Sequence, residues 1–253
     1  MSAFFEGIAQ EPITFHGYAG KAPMFFREVR MMGGVFTCNL AAAKALMPTS
    51  SHHPHRIWNG RGVAAIHCFE YLDTDIGPYN EVSLSIAIVH GTRGWLSWAA
   101  LARAEAKGRY QAFVADLPVT TDAAVHGGID ILGFPKWLAR IEFTEDEARR
   151  VCTVRDAESG AVILSVAGDR IPTRPAEKVI SLESYPRKDG ATLHATMRVN
   201  LIEWGNVAFA RRMKVETTDH PRAAMLRGLS LGKQVGYLYA PRCEAILMRP
   251  EVE

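Results

Sequence analysis

From Tyr79 to His90 the chain reads YNEVSLSIAIVH, and the apolar residues Val82, Leu84, Ile86 and Ile88 alternate with Ser83, Ser85 and Ala87. A period of two belongs to a β-strand, whose successive side chains leave opposite faces. The same pattern recurs along the chain. Residues 62–72 form a strand joined to this one by the turn-rich DTDIGP, and ARIEF, RRVCTV and AVILSVA read as a meander with turns at TEDE and DAESG. KVISLESY and ATLHATMRV pair across PRKDG, QVGYLYA and CEAILMR form the final strands, and FFREVRMMGGVFTC is extended with a bulge or turn at Gly33-Gly34. Helical signals are fewer. Asn39 caps LAAAKALM, which Pro48 stops; WLSWAALARAEAKG has helical composition up to Gly108; and Asp219 caps PRAAMLRGL. Many antiparallel strands with three short helices predict an α+β chain, mainly antiparallel β, built on a large curved sheet that closes into a barrel- or cone-like form. With 253 residues, 48% of them hydrophobic, and no stretch that reads as a linker, one domain over residues 1–253 is expected.

Two residues stand out against this background. On the strand expected over 80–90, Glu81 falls on the small, polar face, where a carboxylate has room for a ligand rather than a packed neighbour. Lys136 lies in LGFPKWLA, after Phe134-Pro135 and before Trp137-Leu138. Lysine is normally left in water, and an apolar setting penalises its charged form and favours the nucleophilic amine. Condensed with a ketone, such an amine gives a Schiff base that withdraws electrons from the adjacent carbon. The segment TTDAAVHGGIDILGFPK reads as a capped short helix or turn, beginning at Thr121 or Asp122 and ending near Gly133, that delivers Lys136 onto the next strand. His126, before Gly127-Gly128, reads as part of that turn.

GFPK, the Tyr-x-Glu strand start, the Arg-Glu strand upstream and the short Ala-rich helix ending in proline follow the order of the acetoacetate decarboxylase-like family, which this chain resembles over most of its length. The resemblance implies a barrel- or cone-like sheet with the reactive lysine inside. It assigns the Schiff-base role to Lys136 and the active-site glutamate to Glu81. It also implies an N-terminal arginine that approaches the substrate carboxylate, either Arg27 or Arg30, with the Arg27-Glu28 pair nearer the family pattern; a guanidinium suits that task because its planar fork donates two parallel hydrogen bonds. The chain departs from the decarboxylases in two places. They resemble GYPKK or AYPKK, with a second cation beside the lysine, where this chain has Trp137; and their second carboxylate falls near Ile66, with only His67 and Glu70 close by. Relatives with this altered pattern resemble Schiff-base lyases or aldol and dehydration catalysts acting on larger keto acids.

Further candidates for the substrate pocket are Tyr79 beside Glu81, Trp137 as an apolar wall, and Tyr237 and Tyr239 of GYLYAP as phenols facing the cavity. Strand alternation, if regular, sends Trp137 away from Lys136. The reading is then a Schiff-base lyase acting on a small keto acid by decarboxylation, retro-aldol cleavage or dehydration. The alternative is a non-catalytic protein in which a charged Lys136 holds a carboxylate. The imine is its own electron sink, so no cofactor and no metal is expected. GxGxxG and HExxH signatures are absent. His52, His53 and His55 of SSHHPHRIW, interrupted by Pro54, read as solvated loop residues rather than metal ligands.

A net charge of +2, with Lys and Arg spread along the chain, indicates neither a nucleic-acid stripe nor a membrane patch. No apolar run has the length of a membrane span, and MSAFFEGIAQEP lacks the layout of a secretion signal. A cytoplasmic location is expected. Cys38, Cys68, Cys152 and Cys243 form no CxxC pair and are expected as buried thiols. Trp58, Trp95, Trp98 and Trp204 read as core or subunit-interface residues, in keeping with a homo-oligomer.

Overall fold

The structure, a computed structural model, describes residues 2–57, 59–91, 103–104 and 106–253. Its strands are β1 (Glu11–Phe15), β2 (Tyr18–Ala22), β3 (Met24–Cys38), β4 (His52–Pro54), β5 (Gly62–Thr74), β6 (Tyr79–His90), β7 (Arg109–Val119) and β8 (Lys136–Glu145). They continue with β9 (Arg149–Asp156), β10 (Val162–Asp169), β11 (Arg174–Ser184), β12 (Arg187–Lys188), β13 (Ala191–Ala208), β14 (Met213–Thr217), β15 (Gln234–Leu247) and β16 (Glu251–Val252).

Seven of these strands close a ring: β7, β11, β13, β15, β3, β5 and β6 pair in that order, and β6 pairs back onto β7. The closure depends on β7, which lends one edge to two partners. Its residues Arg109–Ala112 run parallel to β11, and Leu117–Val119 run parallel to β8. From β8 the sheet continues through β9 and β10 to β14. Because side chains alternate, the ring strands other than β11 each feed two cores, while β11 packs only inward and leaves Val179 exposed. Met31, Phe69, Tyr79, Val119, Ile180, Val199 and Ala240, one from each ring strand, form a single cluster and therefore fill the inside. Their neighbours Met32, Ile66, Val82, Leu84 and Ile86 face outward and pack against Ile141, Val154 and Val166 of the β8–β10 layer. The curved, mainly antiparallel sheet with few short helices is the expected architecture. Among the described residues no helix is long and apolar enough to cross a membrane.

Several local expectations are corrected. Gly33 and Gly34 mark no turn: β3 pairs with β5 without a shift from Arg30 to Cys38. A Cβ at Gly33 would lie 2.2 Å from the His67 ring, and one at Gly34 would lie 2.6 Å from Met213 Sδ, so the glycines leave room for side chains crossing the strand. QVGYLYA and CEAILMR are one strand, β15, whose register shifts between Ala240 and Cys243, where Pro241 has no N–H to give. The Pro221–Ala223 turn is capped by His220 rather than Asp219. The β1–β2 hairpin was not anticipated. Within the SSHHPHRIW stretch, His52 and His55 are buried rather than solvated, and His52 Nε2 lies 2.8 Å from the Tyr185 carbonyl. Asn39 does cap the Leu40–Ala45 helix. The four cysteines are free and buried. Trp204 is buried and donates its indole N–H to the Ala176 carbonyl at 2.7 Å. Trp58, Trp95, Trp98 and most of WLSWAALARAEAKG lie outside the described residues.

Candidate active site

On β6 the residues Tyr79, Glu81, Ser83 and Ser85 share the face turned into the ring, and all four are buried. Glu81 stands in register with Phe69 of β5 on one side and Val119 of β7 on the other. Lys136 opens β8 beside Leu117 of β7, two residues before Val119, so strand pairing brings amine and carboxylate to one end of the ring. Lys136 Nζ donates to Glu81 Oε2 at 2.8 Å, and the two side chains are 7% and 9% exposed. A buried ion pair needs its remaining valences met by further hydrogen bonds and rings. The Tyr71 hydroxyl donates to Glu81 Oε1 at 3.2 Å, and the Tyr79 ring lies 5.4 Å from the ammonium. Burial and then the charge of Glu81 push both phenols well above the ordinary tyrosine range, so both remain protonated and Tyr71 acts as a donor.

The delivery of Lys136 is local. The Thr121 hydroxyl caps the Asp122–His126 helix by accepting from Ala124 N, a π-turn over Gly127–Ile131 follows, and Gly133 leaves it at φ +68°. This matches the expected capped helix ending near Gly133. Gly128 lies directly under the lysine stem: a Cβ there would sit 2.2 Å from Lys136 Cδ and 2.7 Å from Cε. Because Glu81 fixes the far end of that stem, it cannot swing aside without breaking the ion pair. Gly128→Ala is therefore expected to keep the fold but to slow imine formation at Lys136 by at least about tenfold, a modest loss for a reactive group displaced by an ångström or so. Circular dichroism and the rate of borohydride trapping check the two halves of this prediction.

Tyr79 thus joins Lys136 and Glu81, while the other expected pocket residues do not. Regular alternation sends Trp137 to the outer face, where its indole N–H donates to Asp116 Oδ1 at 2.7 Å and Arg222 lies over its ring at 4.5 Å. Trp137 cannot wall the lysine. Tyr237 and Tyr239 also belong to the outer core, and the Tyr237 hydroxyl donates to the Asp169 carbonyl at 2.7 Å. Arg27 is held by Asp75 at 2.5 Å and Asp73 at 3.5 Å, and Arg30 lies 3.8 Å from Glu70. Both guanidinium groups are engaged with these acids rather than with the Lys136–Glu81 pair. Ile66 faces the outer core, whereas His67 shares the inward face with Glu81 through its register with Ser83.

Sequence reasoning overlooked Tyr71 and Gly128, and named His67 only as a neighbour of Ile66 without a role. Tyr71 was within reach, because it lies on the expected 62–72 strand and stands opposite Tyr79. Burial depresses the His67 imidazole from its ordinary 6.5 to about 4. An unfolded chain protonates this histidine below about pH 6.5 while the folded one does not, so its contribution favours unfolding as pH falls from 6.5 towards 4 and is constant below. We expect His67→Leu to flatten the stability profile in that window, removing up to about 3 kcal/mol of acid destabilisation relative to the parent. Urea titrations of both proteins between pH 7 and pH 4 read the difference directly.

The acetoacetate decarboxylase (ADC) family matches residues 12–227. No curated protein matches the chain in sequence. Among solved structures, the chain is similar to acetoacetate decarboxylase from Legionella pneumophila subsp. pneumophila str. Philadelphia 1, with 15% identity, a TM-score of 0.63 and coverage of 99% of this chain and 93% of that one. It is similar to the enduracididine biosynthesis enzyme MppR complexed with pyruvate, at 10% identity and TM-score 0.60 over 99% and 94% of the two chains. MppR has also been solved with the condensation product of pyruvate and imidazole 4-carboxaldehyde. An acetoacetate decarboxylase-like enzyme from Sphingomonas wittichii RW1 aligns at 14% identity and TM-score 0.54 over 91% and 92%. At these identities the solved structures speak for the fold alone.

Proposed function

Because the chain belongs to the acetoacetate decarboxylase family, we propose that it is a Schiff-base-forming lyase acting on a small keto acid through Lys136, with Glu81 as its proton carrier. The observation that carries this reading is the buried Lys136–Glu81 contact at 2.8 Å inside the ring. Attack on a ketone needs the free amine. Glu81 is placed to take the ammonium proton and to return it to the carbinolamine hydroxyl, which leaves as water. The resulting iminium accepts the electron pair released when a neighbouring C–C or C–H bond breaks. Pyruvate and its condensation product with imidazole 4-carboxaldehyde, seen in MppR, are compatible with retro-aldol or dehydration chemistry beside decarboxylation.

The same contact weighs against the alternative of a carboxylate-binding protein. Glu81 already neutralises Lys136, so an incoming carboxylate meets no net positive charge there. The test is incubation with a panel of keto acids and sodium borohydride, followed by peptide mass spectrometry. An adduct at Lys136 supports the proposal; adducts confined to other lysines, or none across the panel, overturn it. We extend the proposal to a cytoplasmic homo-oligomer folded as one unit over residues 1–253, its assembly to be checked by light scattering.

We expect slow or undetectable carbon dioxide release from acetoacetate, and no rescue by Trp137→Lys. A lysine at 137 would project to the outer face, towards Asp116, where it cannot act on Lys136. Fast release by the parent between pH 5 and pH 9, or restoration by the variant, would contradict this expectation.

A further inference from the structure

The tip of the β1–β2 hairpin lies beside the segment that delivers Lys136. Phe15 pairs with Tyr18 across a two-residue turn in which His16 and Gly17 both have positive φ, +46° and +81°. That is the type I′ geometry of tight hairpins, and histidine is one of the few side chains that tolerates it. The Phe15 ring packs on Gly127, where an added Cβ would lie 3.2 Å away. The turn therefore holds the His16 ring against the helix below. There His126 and Asp130 stand four residues apart, the spacing that puts two side chains on one helical face.

Three donor atoms converge at this junction. Asp130 Oδ2 lies 3.0 Å from His16 Nε2 and 3.5 Å from His126 Nδ1, and the two imidazole rings stack at 4.1 Å. Yet Asp130 Oδ2 has no accessible surface and no hydrogen bond of acceptable geometry. The side chain is 37% exposed, but this oxygen is covered by the two rings and lies at ion-pair distance from both nitrogens without a well-aligned hydrogen bond to either, a setting that a cation shared by all three would complete. A tetrahedral zinc with bonds of about 2.0–2.1 Å holds its ligand atoms about 3.3–3.4 Å apart; the two nitrogen–oxygen separations bracket that value, all three donor atoms lie within 4.8 Å of one another, and a rotation of the stacked rings out of parallel brings both lone pairs to one ion.

We propose that His16, His126 and Asp130 bind one zinc-like divalent ion, with a fourth position left to solvent. Two imidazoles and a carboxylate select a borderline metal over magnesium or calcium, which prefer oxygen ligands. Bound there, the ion clips the hairpin to the helix whose Gly128 carries the lysine stem. It is a clip rather than a reagent: the imine chemistry of Lys136 does not use it, and binding is measurable whether or not that chemistry occurs.

The test uses untagged, chelator-stripped protein and zinc chloride, with affinity read by competition against a chromophoric chelator. Cobalt(II) chloride serves as a second probe, its visible spectrum reporting coordination number. The parent should bind one equivalent in the micromolar range or tighter, with a tetrahedral cobalt spectrum and a raised thermal midpoint. His16→Gly, which suits the positive φ, and Asp130→Asn should each weaken binding by at least about a hundredfold, beyond what loss of a mere neighbour of a ligand causes. His53→Ala serves as the control and should bind like the parent. Absence of zinc binding in the parent, or retention of it in both His16→Gly and Asp130→Asn, would overturn the proposal. Loss in His53→Ala alone would move the site to the 52–55 stretch and overturn it equally.

Discussion

Lys136→Met is expected to abolish borohydride trapping and to lower turnover of any keto acid the protein accepts by at least about 10⁴-fold, since binding alone remains once the imine route is closed. Methionine matches the lysine stem in length and keeps the contact over Gly128, so the loss reads the amine and not the packing. The substitution has a second, separable consequence. Glu81 stays buried at 9% exposure with Tyr71 as its one remaining polar contact among those described, and breaking a buried pair in this way costs about 3 kcal/mol or more. Adding Glu81→Gln removes the uncompensated charge. The double variant should therefore regain stability while remaining inactive. Denaturant titration of parent, single and double variants, alongside trapping, checks both parts. A Lys136→Met protein that still forms a reducible adduct would place the nucleophile elsewhere.

The outward half of the architecture was legible because alternation is a direct record of burial. Val82, Leu84, Ile86 and Ile88 pack in the outer core as their spacing required, and the same rule read from Glu81 identified the inward face. The Thr121 cap and the exit at Gly133 were likewise written locally, in a hydroxyl before a helix and a glycine after it. What alternation cannot supply is which faces meet. The closure of β6 onto β7 and the shared edge of β7 are long-range pairings, and they decide that Lys136 reaches Glu81, while Tyr237 and Tyr239 are committed to the outer core. Trp137 shows the opposite failure. Its period was known, and regular geometry should have overruled its adjacency to Lys136. Arg27 and Arg30 were chosen by residue type, yet acids brought in by β5 and the turn after it already occupy both. Gly33 and Gly34 look like a turn in sequence because glycine punctuates loops; here the vacancy above the strand serves side chains arriving from β5 and β14, which no local pattern announces.

Glu81→Gln separates binding from proton transfer. The amide keeps the size of the carboxylate and can still hydrogen-bond Tyr71 and the amine, but it can neither take the ammonium proton nor return one to the carbinolamine oxygen. Imine formation should become slower yet still end at Lys136, so exhaustive borohydride reduction gives the same labelled peptide as the parent. Turnover should fall by roughly a hundredfold or more, the usual scale for losing a positioned acid–base group. Glu81→Ala should lose as much rate and more stability, because it also leaves Tyr71 and Lys136 without their buried partner. The ratio of trapping yield to turnover across the three proteins is the discriminating quantity: high in Glu81→Gln, low in the parent. Equal turnover in Glu81→Gln and the parent would reduce Glu81 to a counter-ion for Lys136, and the proton carrier would then have to be sought at His67, the imidazole that β5 turns to the same face, since the two phenols there stay protonated.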